Sequence, residues 1–145
     1  MKNLNDMSEE EQINFITSSP SNVKIIQRIL NPSEAVQLAA VQNNENNFQY
    51  IKNPSEKVQL AAVKRHGLII EFIKNPSERV QLAAVTKSGY AIGYINNPTK
   101  EVLIFSLLKI LQYGDTEFVK IMLERYSDRN YPEFAIIRQS IEADK

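Results

Sequence analysis

Apolar and polar positions follow one another along this chain in a phrase that returns every 22 residues. The apolar half is V-Q-L-A-A-V, at residues 36–41, 58–63 and 80–85. Each copy follows the polar opening N-P-S-E, which starts at Asn31, Asn53 and Asn75. A fourth opening at Asn97 reads NPTKEVLIFSLL, keeping the start and then diverging. Wound at about 100° per residue, Val58, Ala61 and Ala62 share a face that Val63 and Leu60 extend around most of the helix. That is the pattern of a helix held between neighbours. The sector left open lies roughly 240–260° from Val58. It holds residues 35, 57 and 79 (Ala, Lys, Arg) and residues 42, 64 and 86 (Gln, Lys, Thr), the positions that differ between copies.

The opening predicts where each helix begins. Asn is a good N-cap, Pro loses no bond at the first helical position, and the Glu would then fall at the third, closing a capping box. Ser as the cap is the alternative and moves the boundary by two residues. The first helix of the unit is expected from Pro54 to Arg65, with Gly67 and Gly89 as stop signals; Glu45 stands at that place in the first full unit, so its turn is expected to close differently. A second apolar run follows each helix: Phe48, Tyr50, Ile51; Ile70, Phe72, Ile73; Ile92, Tyr94, Ile95. It is short enough for a brief α-helix or a 3-10 turn. A strand is set aside, because no strand partner appears.

One such hairpin cannot bury its apolar face alone, whereas stacked copies can. The expected fold is therefore all-α, a right-handed α-solenoid of 22-residue two-helix repeats with divergent N- and C-terminal caps. It is read as a single domain over 1–145: a degenerate unit at 1–30 (SEEEQINFI), three regular repeats at 31–96, and a divergent repeat with C-terminal cap at 97–145. Two further rows recur with the unit. Gln37, Gln59 and Gln81 are either amides bonded to a neighbouring unit, forming a ladder, or a row that reads a ligand. Tyr50, Phe72 and Tyr94 read as core residues beside Ile, with a stacking platform as the alternative.

The phrase AAVKRHGLIIEFI and AAVTKSGYAIGYI after N-P-S-E-x-V resembles a class of repeats of unknown function in bacterial, bacteriophage and large-virus proteins. It is also similar to HEAT-like repeats and to the variant leucine-rich repeat, where a Pro-acidic turn precedes a Val-rich helix. The resemblance covers residues 31–95. It implies an α-solenoid that binds another macromolecule, and it brings no catalytic residues.

Composition narrows the function. With no cysteine there are no disulfides, thiolate metal sites or cysteine nucleophiles. His66 is the single histidine, expected in a surface turn, so no two-histidine metal site can form. There is no Gly-rich phosphate loop and no G-x-S-x-G. No enzyme activity, cofactor or metal is expected. No stretch approaches the ~18 apolar residues of a membrane span and no signal peptide is visible, so a cytoplasmic protein without membrane contact is expected.

Net charge is zero, yet charge is segregated. Residues 1–45 carry three basic and six acidic groups, 46–100 eight and three, and 101–145 six and eight. The central bases Lys52, Lys57, Lys64, Arg65, Lys74, Arg79 and Lys87 pair at the repeat spacing, Lys52 with Lys74, Lys57 with Arg79 and Arg65 with Lys87. Stacking would line them up as stripes. The expected function is a non-enzymatic binding module that meets another protein through one face, as a phage or bacterial regulator or inhibitor would. An anionic ligand or nucleic acid on the basic stripe is the second reading. A structural or assembly unit, with the apolar 102–111 segment as an oligomer contact, is the third; the oligomeric state stays open.

Overall fold

A computed structural model describes residues 2–144, and among them the secondary structure is helical with no strand. Seven α-helices form: α1 (Glu9–Thr17), α2 (Glu34–Asn43), α3 (Glu56–Arg65), α4 (Glu78–Lys87), α5 (Lys100–Gln112), α6 (Thr116–Arg125) and α7 (Pro132–Ala143). Each of α2, α3 and α4 is followed by a six-residue 3-10 turn, at Glu45–Tyr50, Gly67–Phe72 and Gly89–Tyr94. The second apolar run is thus a 3-10 turn, not a short α-helix. α1 is followed by a shorter one, Ile25–Arg28, so the N-terminal segment repeats the order helix then turn. Neighbouring helices pack in chain order from α1 to α7, and each six-residue turn packs on its own helix and on the next. One apolar cluster runs through the whole from Leu4 to Ile141.

The helices start two residues later than Asn capping would give. Ser33, Ser55, Ser77 and Thr99 are the N-caps, each hydroxyl accepting from the N–H three residues on, at 3.3 Å. Asn31, Asn53 and Asn75 are instead left-handed, with φ of 50°, 50° and 53°. A residue before proline is pushed out of the right-handed helical region, and Asn tolerates the left-handed one better than most side chains. The Glu therefore stands at the first helical position and closes no box. It reaches the following unit: Ser55 Oγ donates to Glu34 Oε2 at 2.6 Å and Thr99 Oγ1 to Glu78 Oε1 at 3.0 Å. Ser33 donates to Glu9 in the same manner. Only α1 has the full box, between Ser8 and Glu11.

Gly67 and Gly89 do not end helices by a left-handed turn; the one glycine with positive φ among the described residues is Gly114. They are glycines because the next unit lies against them. A Cβ on Gly67 would sit 2.4 Å from the Ala84 carbonyl oxygen, and one on Gly89 would sit 2.8 Å from Ile110 Cγ1. At the matching place Glu45 opens a 3-10 turn of the same length, entered through the same extended backbone: Asn44 has φ −154°, His66 −145°. That turn closes like the others and packs less closely on α3 than the glycine-led turns pack on theirs.

Candidate functional site

The phase expected for the first helix of the unit holds. Residues 35, 57, 79, 42, 64 and 86 are all exposed, while Val36, Val58 and Val80 are fully buried. All seven central bases are exposed too, but they do not form one stripe. Lys57 lies 3.8 Å from Glu34 and Arg79 3.7 Å from Glu56, each facing the acidic first residue of the preceding helix. Arg65 lies 3.3 Å from Glu45. The Glu45 carboxyl is held below the usual carboxylate range first by its own backbone N–H, then by that guanidinium, against partial burial. Lys64, Arg65 and Lys87 sit in the last turns of α3 and α4. Lys52 and Lys74 lie just before the Asn-Pro openings, at the other end of helices about 15 Å long. Stacking aligns repeat-spaced pairs, but the carboxylates of the preceding unit divide the stripe.

Around Lys52 and Lys74 the structure gathers something the sequence reading had separated. Three grooves lie in register along the edge where the helices begin, with volumes of about 400, 420 and 420 Å³. Each is walled by an Asn-Pro opening, by the glutamine of that helix, and by the aromatic residue that ends the next 3-10 turn. The first holds Asn31, Pro32, Gln37, Tyr50 and Lys52. Asn53, Pro54, Gln59, Phe72 and Lys74 form the second. In the third, Asn75, Pro76, Gln81 and Tyr94 meet Lys74 and Asn96.

Phe72 and Tyr94 are therefore surface residues, contrary to the core reading, while Tyr50 packs partly buried against the core. Phe72 and Tyr94 are each 49% exposed, and Tyr50 is half-buried with Lys24 Nζ 6.0 Å from its ring centre. Burial belongs to the isoleucine beside each ring: Ile51, Ile73 and Ile95 point inward. Each isoleucine is the extended residue that follows its turn, with φ −90° at Ile51, −100° at Ile73 and −97° at Ile95, so the ring and the isoleucine leave the backbone in different directions.

The glutamines are structural within a unit, not between units. Gln37, Gln59 and Gln81 Nε2 donate to the carbonyl oxygens of Pro32, Pro54 and Pro76 at 2.9, 3.0 and 3.0 Å. This brace holds the left-handed turn against its own helix. Gln81 is 7% exposed, and its Oε1 is buried with no hydrogen-bond partner. A buried acceptor of that kind is costly to leave unpaired, by about 1–3 kcal/mol.

The fourth opening shows the same edge filled by the chain itself. Leu103, fully buried, stands where the glutamine would be. The Pro98 carbonyl accepts from Arg129 Nη1 instead, and Asn97 Oδ1 accepts from Arg129 Nη2 at 2.8 Å. Tyr126 donates to the Ile95 carbonyl at 3.0 Å, and Arg125 Nη1 to that of Gly93 at 3.2 Å.

His66 is exposed in the turn after α3, as expected. Among the described residues no three His, Cys, Asp or Glu side chains gather as metal ligands, and no helix is long and apolar enough to cross a membrane. Part of the 102–111 segment is exposed: Phe105 at 43% and Leu108 at 49% line a cavity of about 500 Å³ with Leu82 and Ile104. No family model matches this chain, and no curated protein or solved structure matches it either.

Proposed function

We propose that the chain is a non-enzymatic binding module, a short right-handed α-solenoid of 22-residue units that takes a macromolecular ligand along the edge where its helices begin. The observation that carries this reading is the set of three grooves with the same lining, one per unit. Internal repetition of a lining argues for a ligand that itself repeats, or at least runs on past one groove. The lining supplies flat apolar rings, carboxamides and ammonium groups, which are means of holding a ligand and not of turning one over. The charged side chains that line the three grooves are Lys52 and Lys74. No histidine or carboxylate stands beside a nucleophile there, as general acid–base work requires.

A photo-crosslinking residue placed at position 72, and in a second variant at position 64, tests the assignment in host cells. Position 64 lies at the far end of α3 and outside all three grooves. Adducts are expected from position 72 and few from position 64. Equal yields, or adducts from position 64 alone, would move the binding face away from the grooves.

A further inference from the structure

We propose that the ligand of this edge is single-stranded nucleic acid, with Phe72 and Tyr94 as base platforms and Lys52 and Lys74 facing the backbone phosphates. The inference rests on the reading of the grooves as the binding edge and adds the class of the ligand.

Charge selects an anion first. No carboxylate lines any of the three grooves, although the chain as a whole has as many acidic as basic residues. The acidic residues nearest in sequence line none of the three grooves: Glu34 accepts from Ser55 and lies 3.8 Å from Lys57, Glu78 accepts from Thr99, and Glu56 lies 3.7 Å from Arg79. Glu71, beside Phe72 in the chain, is exposed and lines none of the grooves. The edge is extended at its N-terminal end by Lys24, over the Tyr50 ring, and at its other end by Arg125, bonded to the Gly93 carbonyl.

The rings choose among anions. An acidic peptide would satisfy the lysines but has no regular supply of planar groups for a ring in each unit. A polynucleotide carries one phosphate and one flat base per residue, so it matches both features in the same period.

Spacing then chooses between one strand and two. Packed helices lie about 8–10 Å apart, and rings repeated once per unit inherit roughly that separation. Bases in a duplex rise about 3.4 Å per step and are closed to a third ring. Only a strand whose bases are splayed apart can lay one base on each ring. Splayed bases on aromatic side chains with a basic track beside them are a sequence-tolerant mode of binding.

The rings are not equivalent. Tyr50 is half-buried and already covered by Lys24, so Phe72 and Tyr94 should carry most of the stacking.

The test is direct titration of the purified full chain with fluorescent 12-mers of RNA and of DNA, single-stranded and duplex, and with poly-glutamate of similar charge, at low and moderate salt. Both single strands should bind, more tightly than the duplex or poly-glutamate, and binding should weaken as salt rises. Phe72→Ala and Tyr94→Ala should each weaken it roughly 5- to 150-fold, the range of one lost base stack, and Tyr50→Ala should weaken it less. Lys74→Glu should weaken it and flatten the salt dependence. Because Phe72, Tyr94 and Lys74 are exposed, an unchanged helical circular dichroism spectrum is the expected control. Failure of every single strand to bind the folded chain would overturn the proposal, as would duplex or poly-glutamate binding as tight as the single strands. Single-strand binding that ignores the loss of both rings would also overturn it. A position-72 adduct that resists nuclease and yields to protease would overturn the ligand class while leaving the grooves as the binding edge.

Discussion

The regular units and the C-terminal end begin with the same two residues and treat them in opposite ways. At Asn31, Asn53 and Asn75 the backbone turns left-handed, a glutamine braces the proline carbonyl, and a groove remains open. At Asn97 the backbone is not left-handed, the glutamine has become Leu103, and Arg129 closes over both the asparagine and the proline. A 3-10 turn ends each regular unit. α6 replaces it in the last one, which brings Tyr126 and Arg129 to the edge. An open unit becomes an end by a change of one buried side chain and one length of helix. A stack of helices needs such a polar closure at its end, because a bare packing face would be left on the outside.

The largest expected effect sharpens that comparison in the core. Leu107 of α5 is fully buried, whereas Leu82 of α4 is half-buried beside an open cavity. Leu107→Ala should lower the unfolding free energy by about 2–5 kcal/mol, as buried leucine truncations do. Leu82→Ala should lower it by clearly less in the same denaturant titration. Equal losses would mean that the two regions share one packing environment.

A smaller effect is expected where one unit presses on the next. Gly67→Ala places a methyl group 2.4 Å from a backbone oxygen that cannot rotate away. Destabilisation of about 1–3 kcal/mol should follow, as in other overpacked sites. Gly93, whose nearest neighbour would be Phe118 Cζ at 3.7 Å, serves as the control, and Gly93→Ala should be close to neutral. A neutral Gly67→Ala would show that the units slide on one another without resistance.

The smallest effect breaks the closure itself. Tyr126→Phe removes the hydroxyl that pairs with the Ile95 carbonyl and leaves the ring in place. A loss of about 1 kcal/mol in thermal or denaturant unfolding is expected, the net worth of one such bond. No loss would mean that the end is held by packing alone.

The unit and the exposed phase of its helix were legible in the sequence, because a repeated phrase prints the same burial pattern three times. Its cap was ambiguous between Asn and Ser, and the left-handed asparagine decided it, a backbone state that composition alone does not display. The glycines were visible, but their reason was not: a stop signal and a close contact with the next unit both ask for the same residue. Phe72 and Tyr94 were misplaced for a different cause. A ring beside an isoleucine reads as core at helical spacing, but the isoleucine is the extended residue after the 3-10 turn and leaves the backbone in a different direction from the ring. The grooves needed both corrections, since they exist only between a left-handed turn in one unit and a ring presented by the next. The carboxylates that face Lys57, Arg65 and Arg79 stand 20 to 23 residues away, which no local pattern contains.

One contact has a geometric consequence beyond stability. Units meet at two separated points: a hydroxyl on a carboxylate where the helices begin, as at Ser55–Glu34 and Thr99–Glu78, and a turn residue against the next helix where they end. The first point is the same in each of its observed copies, while the second is glycine at 67 and 89 and glutamate at 45. The approach of neighbouring units at the second point is therefore limited by one side chain, while the first is held by a repeated hydrogen bond. Enlarging residues 67 and 89, or trimming Glu45, would change how closely the turn of one unit approaches the helix of the next.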